Sequence, residues 1–399
     1  MEPGRTVVVG LSGGIACYKA CDVVRLLARE GLRVRVVMTA GATRFVTPLT
    51  LQALSGHPVG TDVFDLTQES EIGHIRVADE ADAVVIAPAT ADVLAKMAHG
   101  IADDLLTTIL LATRAPVLVA PAMNVHMWEH PATQANVGIL RKRGVTTVGP
   151  GVGSLACGYE GAGRLAEPEE IVERALQLVT AADLAGERVL ISAGPTQEPI
   201  DPVRYVSNRS SGRMGYALAR VAQRRGAEVT LVTGPCELPP PPAVRVVRVT
   251  TAAEMAEALR REFRRATVLV MAAAVADYRP SRPAARKIKK RERTATIALA
   301  RTEDIVTGLA RRKGRRLVVG FAAETHDVVE AARGKLRAKQ LDLVVANDVT
   351  QPGAGFGTDT NLVRLLGADG TDEQLPLLPK AEVAGRILDW IAARRPARR

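Results

Sequence analysis

Short apolar runs that alternate with longer amphipathic stretches constrain the fold of this chain more than any other feature. The first run, Thr6–Leu11 (TVVVGL), is continuous and ends at the glycine-rich residues 12–14. A helical pattern follows from Ala16 to Glu30, and the next apolar run covers Arg33–Met38. Continuous Val, Ile and Ala runs between amphipathic helices are typical of parallel strands that are buried on both faces. The pattern therefore predicts a doubly wound parallel sheet.

The alternation continues to about residue 180 and is then repeated. In the first half it predicts further strands at Ala83–Ala87, Pro116–Ala120 and Val145–Val148, and helices at Val93–His99, Asp104–Thr113, Thr133–Arg143 and Glu169–Thr180. In the second half it predicts strands at Arg188–Ser192, Glu228–Val232, Val244–Val249, Thr267–Met271, Leu317–Phe321 and Leu343–Ala346, and helices at Gly215–Arg225, Ala252–Arg264, Asp304–Lys313, Asp327–Lys339 and Lys380–Ala393.

The pattern loosens around Thr180–Gly186, where we place a linker. The prediction is an α/β protein with two Rossmann-like domains, residues 1–182 and 186–393, followed by a basic tail at 394–399. The chain has 399 residues, of which 47% are apolar, so it can bury two such cores.

Composition also bears on the cellular setting. Four cysteines in a chain of this length do not form a disulfide framework. No apolar stretch approaches the roughly twenty residues that cross a membrane, and the N-terminal residues lack the pattern of a signal peptide. We therefore expect a cytoplasmic protein without a membrane partner.

The net charge of +10 is unevenly distributed. Residues 1–180 carry 15 Lys and Arg against 19 Asp and Glu, whereas the remainder carries 38 against 24. A basic half favours an anionic partner, such as a nucleic acid, a nucleotide or a phosphorylated metabolite, and a solvated arginine-rich surface is the alternative. Only 3% of the residues are aromatic, which leaves few side chains for stacking on single-stranded bases. We expect small-molecule substrates rather than nucleic acid.

A long polar segment separates a strand from a helix at the start of the second half. This segment, Ser192–Ala219 (SAGPTQEPIDPVRYVSNRSSGRMGYALA), leads into a helical pattern that starts near Gly212. A plain connection between a strand and a helix needs about two to six residues. The extra residues, rich in Pro, Ser, Asn, Arg and Gly, predict a loop with a function of its own.

Two patterns match enzyme signatures that the rest of the sequence does not support. The run 10–14 (GLSGG) matches the nucleophile elbow of serine hydrolases, but no Asp and His are placed as its partners. Glycines there more simply let backbone amides approach a phosphate. The run 126–130 (HMWEH) matches a zinc-binding pattern that needs a helix, and Pro131 disfavours helical geometry at His130. An NAD-linked oxidoreductase is a further hypothesis, but this chain does not have the complete G-x-G-x-x-G pattern that binds the dinucleotide.

The order of several short motifs is more specific than any one of them. In the first half these are SGGIA at 12–16, MT at 38–39, GHI at 73–75, APATAD at 87–92, PAMN at 121–124 and ACG at 156–158. Residues 5–180 thereby resemble the flavin-dependent cysteine decarboxylase family. Residues 186–393, with SNRSSG, AAAVADY and KIKK, resemble phosphopantothenate–cysteine ligases. In this order the halves resemble the bacterial family of bifunctional coenzyme A biosynthesis proteins.

The resemblance to the decarboxylases implies FMN as cofactor. It implies that FMN oxidises the thiol side of the acyl-cysteine to a thioaldehyde, whose C=S accepts the electrons left when CO₂ departs. His74 matches the base or electrostatic partner of this step, Asn124 matches the residue that holds the substrate carboxylate, and Cys157 matches the acid that completes the reduction. The implied cofactor-binding residues are Ser12, Gly13, Gly14, Thr39, Pro88 and Thr90.

The resemblance to the ligases implies that CTP, with Mg²⁺, converts the carboxylate of 4′-phosphopantothenate into an acyl-cytidylate, which the amine of cysteine attacks. Asn208 matches a residue that handles this intermediate, and Lys287 matches the catalytic lysine. Asp277, which we place at the end of a strand, matches the nucleotide-site aspartate. The other CTP-site candidates are Met271, Ala272, Ala273, Glu303, Asp304, Ile305, Val306, Phe321, Lys335 and Lys339. The metal ligands stay open.

The chain departs from the ligase pattern at one candidate position. Glu303 precedes Asp304 where the family commonly has Pro, which places a carboxylate near an anionic ligand. The resemblance also implies a homo-oligomer. Decarboxylase domains would form trimers within a dodecamer, with flavin at the subunit contacts, and ligase domains would pair as dimers.

Overall fold

The computed structural model describes residues 4–63, 73–154, 158–289, 296–324, 326–348, 350–351, 353 and 357–394. The chain divides into two compact units, Met1–Ala181 (unit 1) and Ala182–Arg399 (unit 2). The last helix of unit 1 ends at Val179, so the division falls in the stretch where the sequence pattern loosens.

Unit 1 is built on a parallel sheet. Its strands are β1 (Thr6–Leu11), β2 (Arg33–Met38), β3 (Val59–Gly60), β4 (Ala83–Ala89), β5 (Val117–Pro121), β6 (Thr146–Thr147), β7 (Gly151–Ser154) and β8 (Glu160–Arg164). Its helices are α1 (Cys17–Arg29), α2 (Pro48–Ser55), α3 (Gly73–Glu80), α4 (Ala91–His99), α5 (Leu105–Ala112), α6 (Val125–Glu129), α7 (Pro131–Lys142) and α8 (Pro168–Val179), with a 3₁₀ turn at Ala42–Arg44.

The main sheet of unit 1 has the strand order β3-β2-β1-β4-β5-β6, and every pair is parallel. Successive strand side chains point to opposite faces, so a strand covered on both sides must be apolar throughout. In β1, Val7 and Val9 pack in one core with α1 and α8, and Val8 packs in the other with α4 and α5. This double covering explains the continuous apolar runs in the sequence.

Unit 2 has its own sheet and helices. Its strands are β9 (Arg188–Ala193), β10 (Gln197–Pro199), β11 (Tyr205–Ser207), β12 (Glu228–Thr233), β13 (Arg245–Arg248), β14 (Val268–Met271), β15 (Tyr278–Pro280), β16 (Leu299–Arg301), β17 (Leu317–Glu324), β18 (Leu343–Asp348), β19 (Thr360–Asn361), β20 (Val363–Gly367), β21 (Asp372–Gln374) and β22 (Leu378–Pro379). Its helices are α9 (Arg213–Arg224), α10 (Ala252–Phe263), α11 (Ile305–Ala310), α12 (Val328–Ala338) and α13 (Lys380–Ala393).

The sheet of unit 2 repeats the strand order of unit 1 and then extends it. Strands β13-β12-β9-β14-β17-β18 are parallel, and β20 and β21 continue from β18 in antiparallel pairing. The predicted doubly wound sheet is confirmed, but this antiparallel edge was not predicted. Its strands are short and are joined by a tight turn at Gly370, whose φ is 93°, so they carry little periodic signal.

Several other short elements were also not predicted, among them α2, α3 and α6. The polar segment after β9 is not an open loop, because β10 and β11 pair within it as an antiparallel hairpin. Strands of three residues are too short for a hydrophobic period to be recognised. Over the described ranges, no helix combines the length and the apolar character needed to span a membrane.

Candidate active sites

A cavity of about 500 Å³ opens at the carboxyl edge of the unit 1 sheet. It lies where the loops after the adjacent strands β1 and β4 diverge, which is the usual ligand position in an open α/β sheet. Its lining includes the glycine loop Gly13–Gly14, the polar residues Thr90 and Asn124, and apolar side chains such as Met123. A cavity of this size and mixed lining is typical of a site for a small organic ligand or cofactor.

Hydrogen bonds between distant loops support the residues that line this cavity. The buried Ser12 donates its Oγ proton to the Pro88 carbonyl (2.7 Å) and accepts from the Thr90 N–H (2.9 Å). A Cβ on Gly13 would lie 2.9 Å from the Cα of Gly41, so glycine lets the β1 loop rest on the loop after β2. Of the predicted cofactor residues, Gly13, Gly14 and Thr90 line the cavity. The others support the loops, and Thr39 accepts a hydrogen bond from the 3₁₀ turn.

Asn124 is positioned by contacts on both sides of its backbone. It begins α6, and its Oδ1 accepts from the His126 N–H at 2.9 Å. The preceding Met123 N–H donates to the Gly163 carbonyl at 2.9 Å. A Cβ on Gly163 would lie 2.3 Å from the Met123 oxygen, so a larger residue would push β8 away from this segment. The side-chain amide of Asn124 is thereby fixed at the cavity wall.

Two cations that the sequence analysis missed also line the cavity. Lys19 and Arg164 both pair with the single carboxylate of Glu167, which leaves an excess of positive charge at the wall. A phosphorylated flavin needs a positive or amide-rich site for its phosphate and an apolar surface for its ring. The glycine loop, these cations and the methionines meet both needs. The available sequence signal for Lys19 was its position in the first helix, shortly after the glycine loop Gly13–Gly14.

His74 does not share this cavity within one chain. It is the second residue of α3 and lines a smaller cavity of about 50 Å³ with Arg35, Gly60 and Val77. Among the described residues, the linings of the two cavities have no member in common. The structure therefore does not bring His74 and Asn124 together. Cys157 lies outside the described residues, in the connection between β7 and β8.

The histidines of the HMWEH run have structural partners. The ring of His126 makes an edge contact with the Tyr159 ring at 5.2 Å, and Nδ1 of His130 accepts from the Ala132 N–H at the start of α7. A search of the described residues finds no group of three or more His, Cys, Asp or Glu that could hold a metal ion. Cys17 is buried in the core, and burial raises the pKa of its thiol.

The second site lies at the matching edge of unit 2, between the adjacent strands β9 and β14. The Asn208 side chain donates from Nδ2 to the carbonyls of Val275 (2.9 Å) and Ala274 (3.5 Å), which lie in the loop after β14. The Ser192 hydroxyl accepts from the Ala273 N–H at 3.1 Å. Met271, Ala272 and Ala273 therefore begin a loop that residues after β9 hold in place.

The predicted position of Asp277 is wrong. β14 ends at Met271, and Asp277 directly precedes β15. The intervening Ala272–Ala276 run is apolar enough to resemble a strand, but its backbone bonds to the loop after β9, as in the contact between the Ala274 N–H and the Gly194 carbonyl (2.9 Å). The Asp277 carbonyl accepts from the Thr302 N–H next to β16. Asp277 nevertheless lies close enough to Lys335 to interact with its charge.

Lys335 and Lys339 lie near each other at the end of α12. Lys335 Nζ donates to the Phe321 carbonyl at 2.5 Å, and Lys339 Nζ pairs with Asp304 at 2.9 Å. Burial lowers the pKa of Lys335 below its usual value, and the charge of Lys339 lowers it further. For Asp304, burial alone would raise the pKa, but hydrogen bonds from Lys339 and the Thr307 N–H bring it below the ordinary value.

The segment 303–306 divides into charged and buried positions. Glu303 pairs with Arg260 of α10. The carboxylate that we expected to lie near an anionic ligand therefore has a positive charge beside it. Ile305 and Val306 are 4% and 9% exposed and pack in the core. Their side chains are therefore not available to a nucleotide, so a contact from either residue would come from its backbone, and the CTP contacts of this segment stay a prediction.

Lys287 is exposed, but the residue after it is held firmly. The Ile288 N–H donates to Oδ2 of Asp201 (3.1 Å), and Arg204 donates to the Ile288 carbonyl (2.6 Å). Neither Asp201 nor Arg204 was predicted from the sequence as a functional residue. The available signal was the Asp-Pro-Val-Arg run, because an Asp that opens a turn commonly bonds to the backbone two or three residues later.

Comparison with known proteins identifies the family. Residues 184–394 match the family model of the DNA/pantothenate metabolism flavoprotein C-terminal domain, and residues 1–180 match the flavoprotein family model. The chain is 49% identical over 397 residues to the coenzyme A biosynthesis bifunctional protein CoaBC of Bacillus subtilis (strain 168), with 98% of each protein covered. The chain belongs to this bifunctional family.

Another CoaBC protein, from Escherichia coli (strain K12), is 48% identical over 396 residues, covering 98% of this chain and 97% of the relative. A crystal structure of the C-terminal domain of a CoaBC protein is 44% identical and covers 53% of this chain and 97% of that domain, with a TM-score of 0.47. The two full-length relatives and the two family models confirm the resemblance found in the sequence. As a member of the CoaBC family, the chain is a bifunctional enzyme of coenzyme A biosynthesis, with a flavoprotein unit followed by a ligase unit.

Proposed function

We propose that unit 2 joins 4′-phosphopantothenate to cysteine with consumption of CTP, and that unit 1 decarboxylates the product to 4′-phosphopantetheine. The match to CoaBC proteins over nearly the whole chain carries this proposal. The folds support it, because each unit gathers candidate residues at the carboxyl edge of its sheet, between the two adjacent parallel strands where the strand order reverses.

In unit 1, the 500 Å³ cavity is the proposed FMN and substrate site. FMN, when bound, supplies the oxidation and the later reduction of the substrate carbon that bears sulfur. Lys19, Arg164 and the backbone of the glycine loop suit the anionic groups of the ligands. The orientation of Asn124 is fixed by the bond to the His126 N–H, so its amide can hold the substrate carboxylate beside the reacting carbon. Cys157 is the proposed acid.

We propose that His74 acts in a site that a second copy of the chain completes. His74 lines a cavity separate from that of Asn124. Large apolar side chains at the wall of the Asn124 cavity are exposed, including Ile15 (60%), Tyr18 (60%) and Met127 (50%). Exposed apolar patches of this kind mark interaction surfaces. The trimers within a dodecamer that the family resemblance implies would bring a partner's α3 to this wall.

In unit 2, Lys335 and Lys339 are the proposed contacts to the triphosphate of CTP, and Mg²⁺ would neutralise the remaining charge. Phosphoryl and nucleotidyl transfer depend mainly on alignment and charge neutralisation. Asn208 holds the loop after β14 and is the proposed contact to the acyl-cytidylate, with Lys287 as the catalytic cation. Exposed Tyr205 and Tyr278 on the two small hairpins suit the predicted ligase dimer. The cytoplasmic location stays a prediction.

The test is a reaction of the purified full-length protein with 4′-phosphopantothenate, cysteine, CTP and Mg²⁺. We expect sustained release of CMP and pyrophosphate only when 4′-phosphopantothenate and cysteine are both present, because cysteine must discharge the acyl-cytidylate before the next turnover; CO₂ and 4′-phosphopantetheine should follow. The purified protein should also show flavin absorbance or gain it when FMN is added. Pyrophosphate release without cysteine-dependent product would contradict the ligase assignment, and a ligase product that is never decarboxylated in the presence of FMN would contradict the decarboxylase assignment.

A further inference from the structure

The turn between β10 and β11 is organised around one buried carboxylate. Asp201 is 3% exposed and its side chain accepts five hydrogen bonds. Oδ1 accepts from the backbone N–H groups of Val203 (2.9 Å) and Arg204 (3.0 Å). Oδ2 accepts from the Arg204 guanidinium (2.6 and 3.1 Å) and from the Ile288 N–H (3.1 Å). Both oxygens are therefore fully used.

The bond to Ile288 is the long-range one in this set. Arg204 closes the contact from the other side, because its guanidinium donates to the Ile288 carbonyl at 2.6 Å. The N–H and the carbonyl of Ile288 are thus both bonded to the Asp201–Arg204 ion pair, which lies in the turn between β10 and β11. A second tether lies a few residues earlier, where the Ala284 N–H donates to the Ile200 carbonyl at 2.9 Å. Lys287 lies between these two tethered points.

Local turn formation does not require this arrangement. An Asp that only capped its turn would use the N–H groups of Val203 and Arg204 and would leave its second oxygen to solvent. Here that oxygen is buried, and it is satisfied by a backbone group 87 positions away in the chain. Lys287 itself is exposed, and over the part of the chain that the structure describes its side chain forms no hydrogen bond that would set its position.

We propose that Asp201, together with Arg204, is a positioning residue for the ligase reaction, and that it acts by fixing the backbone next to Lys287. This rests on the proposed ligase function of unit 2. A long lysine side chain on a loose segment samples many positions, and fixing the adjacent peptide removes most of that freedom. A misplacement of about 1 Å at a reacting centre can cost about 100-fold in rate. The contact of Asp201 and Arg204 with Ile288 therefore affects the catalytic step more than the binding of CTP.

The test compares full-length variants in steady-state ligase assays that follow pyrophosphate release. We expect Asp201→Ala to lower kcat by about 10- to 100-fold, with a change in KM for CTP of less than about twofold. Asp201→Asn keeps the volume and an acceptor for Ile288 but loses the charge, so its effect should be smaller. Decarboxylation of added 4′-phosphopantothenoylcysteine, measured on the same preparations, should be unchanged.

Asp369→Ala is the matched control. Asp369 also opens a turn, accepts from the Thr371 N–H at 3.0 Å and pairs with an arginine, Arg394, but it lies between β20 and β21. We expect the ligase kcat of this variant to stay within about twofold of the parent protein, because the partners Thr371 and Arg394 are not among the proposed ligase-site residues.

A double-mutant cycle with Lys287→Ala separates positioning from general damage. If Asp201 acts through Lys287, Asp201→Ala should have little further effect on kcat once Lys287 is alanine. Equal losses in both backgrounds would overturn the proposal, as would a kcat of Asp201→Ala within twofold of the parent. Should Asp201→Ala not fold, the same cycle with Asp201→Asn decides. A parent protein that forms no CTP-dependent product would contradict the proposed function itself, which is a distinguishable result.

Discussion

At the scale of single residues, the two sites depend on how charges are placed and buried. Lys335 illustrates this, because burial and the neighbouring charge of Lys339 both lower its pKa, while Asp277, Asp304 and Glu324 partly oppose the shift. The unfolded chain holds the Lys335 proton more tightly than the folded chain does. Folding stability from this group therefore rises with pH between the folded-state pKa and the usual lysine value.

The same shift predicts the pH dependence of CTP binding. A triphosphate attracts the protonated form of Lys335. Because the pKa of Lys335 is lowered, CTP affinity should begin to fall at a lower pH than it would if this lysine had its ordinary pKa. Lys335→Arg should remove this fall, because arginine stays charged throughout the accessible range. Calorimetric titration with CTP between about pH 7 and about pH 10 measures it.

Lys313→Arg is the control for that experiment. Lys313 pairs with Asp342 at 2.6 Å and is not among the proposed CTP contacts. We expect this variant to keep the pH dependence of the parent protein. A Lys335→Arg variant with the same pH dependence as the parent would exclude Lys335 as the group responsible.

At the scale of elements, the sequence predicted the long helices and buried strands well and the short ones poorly. Strands such as β1 and β14 are continuous apolar runs, and the helices beside them have a clear period. The hairpins β10-β11 and β15-β16 consist of three-residue strands whose pairing is set by tertiary contacts. The helix α9 shows the importance of close packing, because Gly215 lies directly on β9.

We predict that Gly215→Ala destabilises unit 2. A Cβ there would lie 2.5 Å from the Cβ of Ala193 and 3.0 Å from the Ser192 carbonyl oxygen, so α9 must move away from β9. Overpacking of this kind costs about 1 to 3 kcal/mol. Scanning calorimetry of the whole chain should show a lower midpoint for the unfolding of unit 2.

Gly385→Ala is the matched helical control for Gly215→Ala. Gly385 lies inside α13, and a Cβ there meets no atom within 4 Å. Alanine should stabilise the helix by up to about 1 kcal/mol, since glycine loses more backbone entropy on folding. If both variants lowered the midpoint equally, close contact with β9 would not be the cause.

At the scale of the whole molecule, the separation of His74 from Asn124 is the feature that one chain does not resolve. Their cavities have no lining residue in common among those the structure describes. The sequence places both motifs in order but carries no information on which surfaces of two copies meet. In a symmetric oligomer, a site that lies at a subunit interface takes residues from two subunits, and the symmetry repeats it at every such interface.

Subunit complementation tests this sharing. His74→Ala and Asn124→Ala should each abolish decarboxylation, whereas co-expression of the two variants should restore activity in mixed oligomers. With random mixing, about a quarter of the shared sites would hold both native residues. The CTP-dependent ligation reports that each variant is folded. Absence of recovery in oligomers shown to be mixed would place both residues in the same subunit's site.

The sequence alone determined the fold class, the order of the two units and the family. Burial on both faces of a sheet leaves continuous apolar runs, and the order of the short motifs can be read directly along the chain. Only the tertiary structure decided which distant groups meet. Ser12 bonds to Pro88, and Asp201 bonds to Ile288, across separations that no local period records. Such contacts follow from strand order, which brings the ends of β1 and β4, and of β9 and β14, to the same edge.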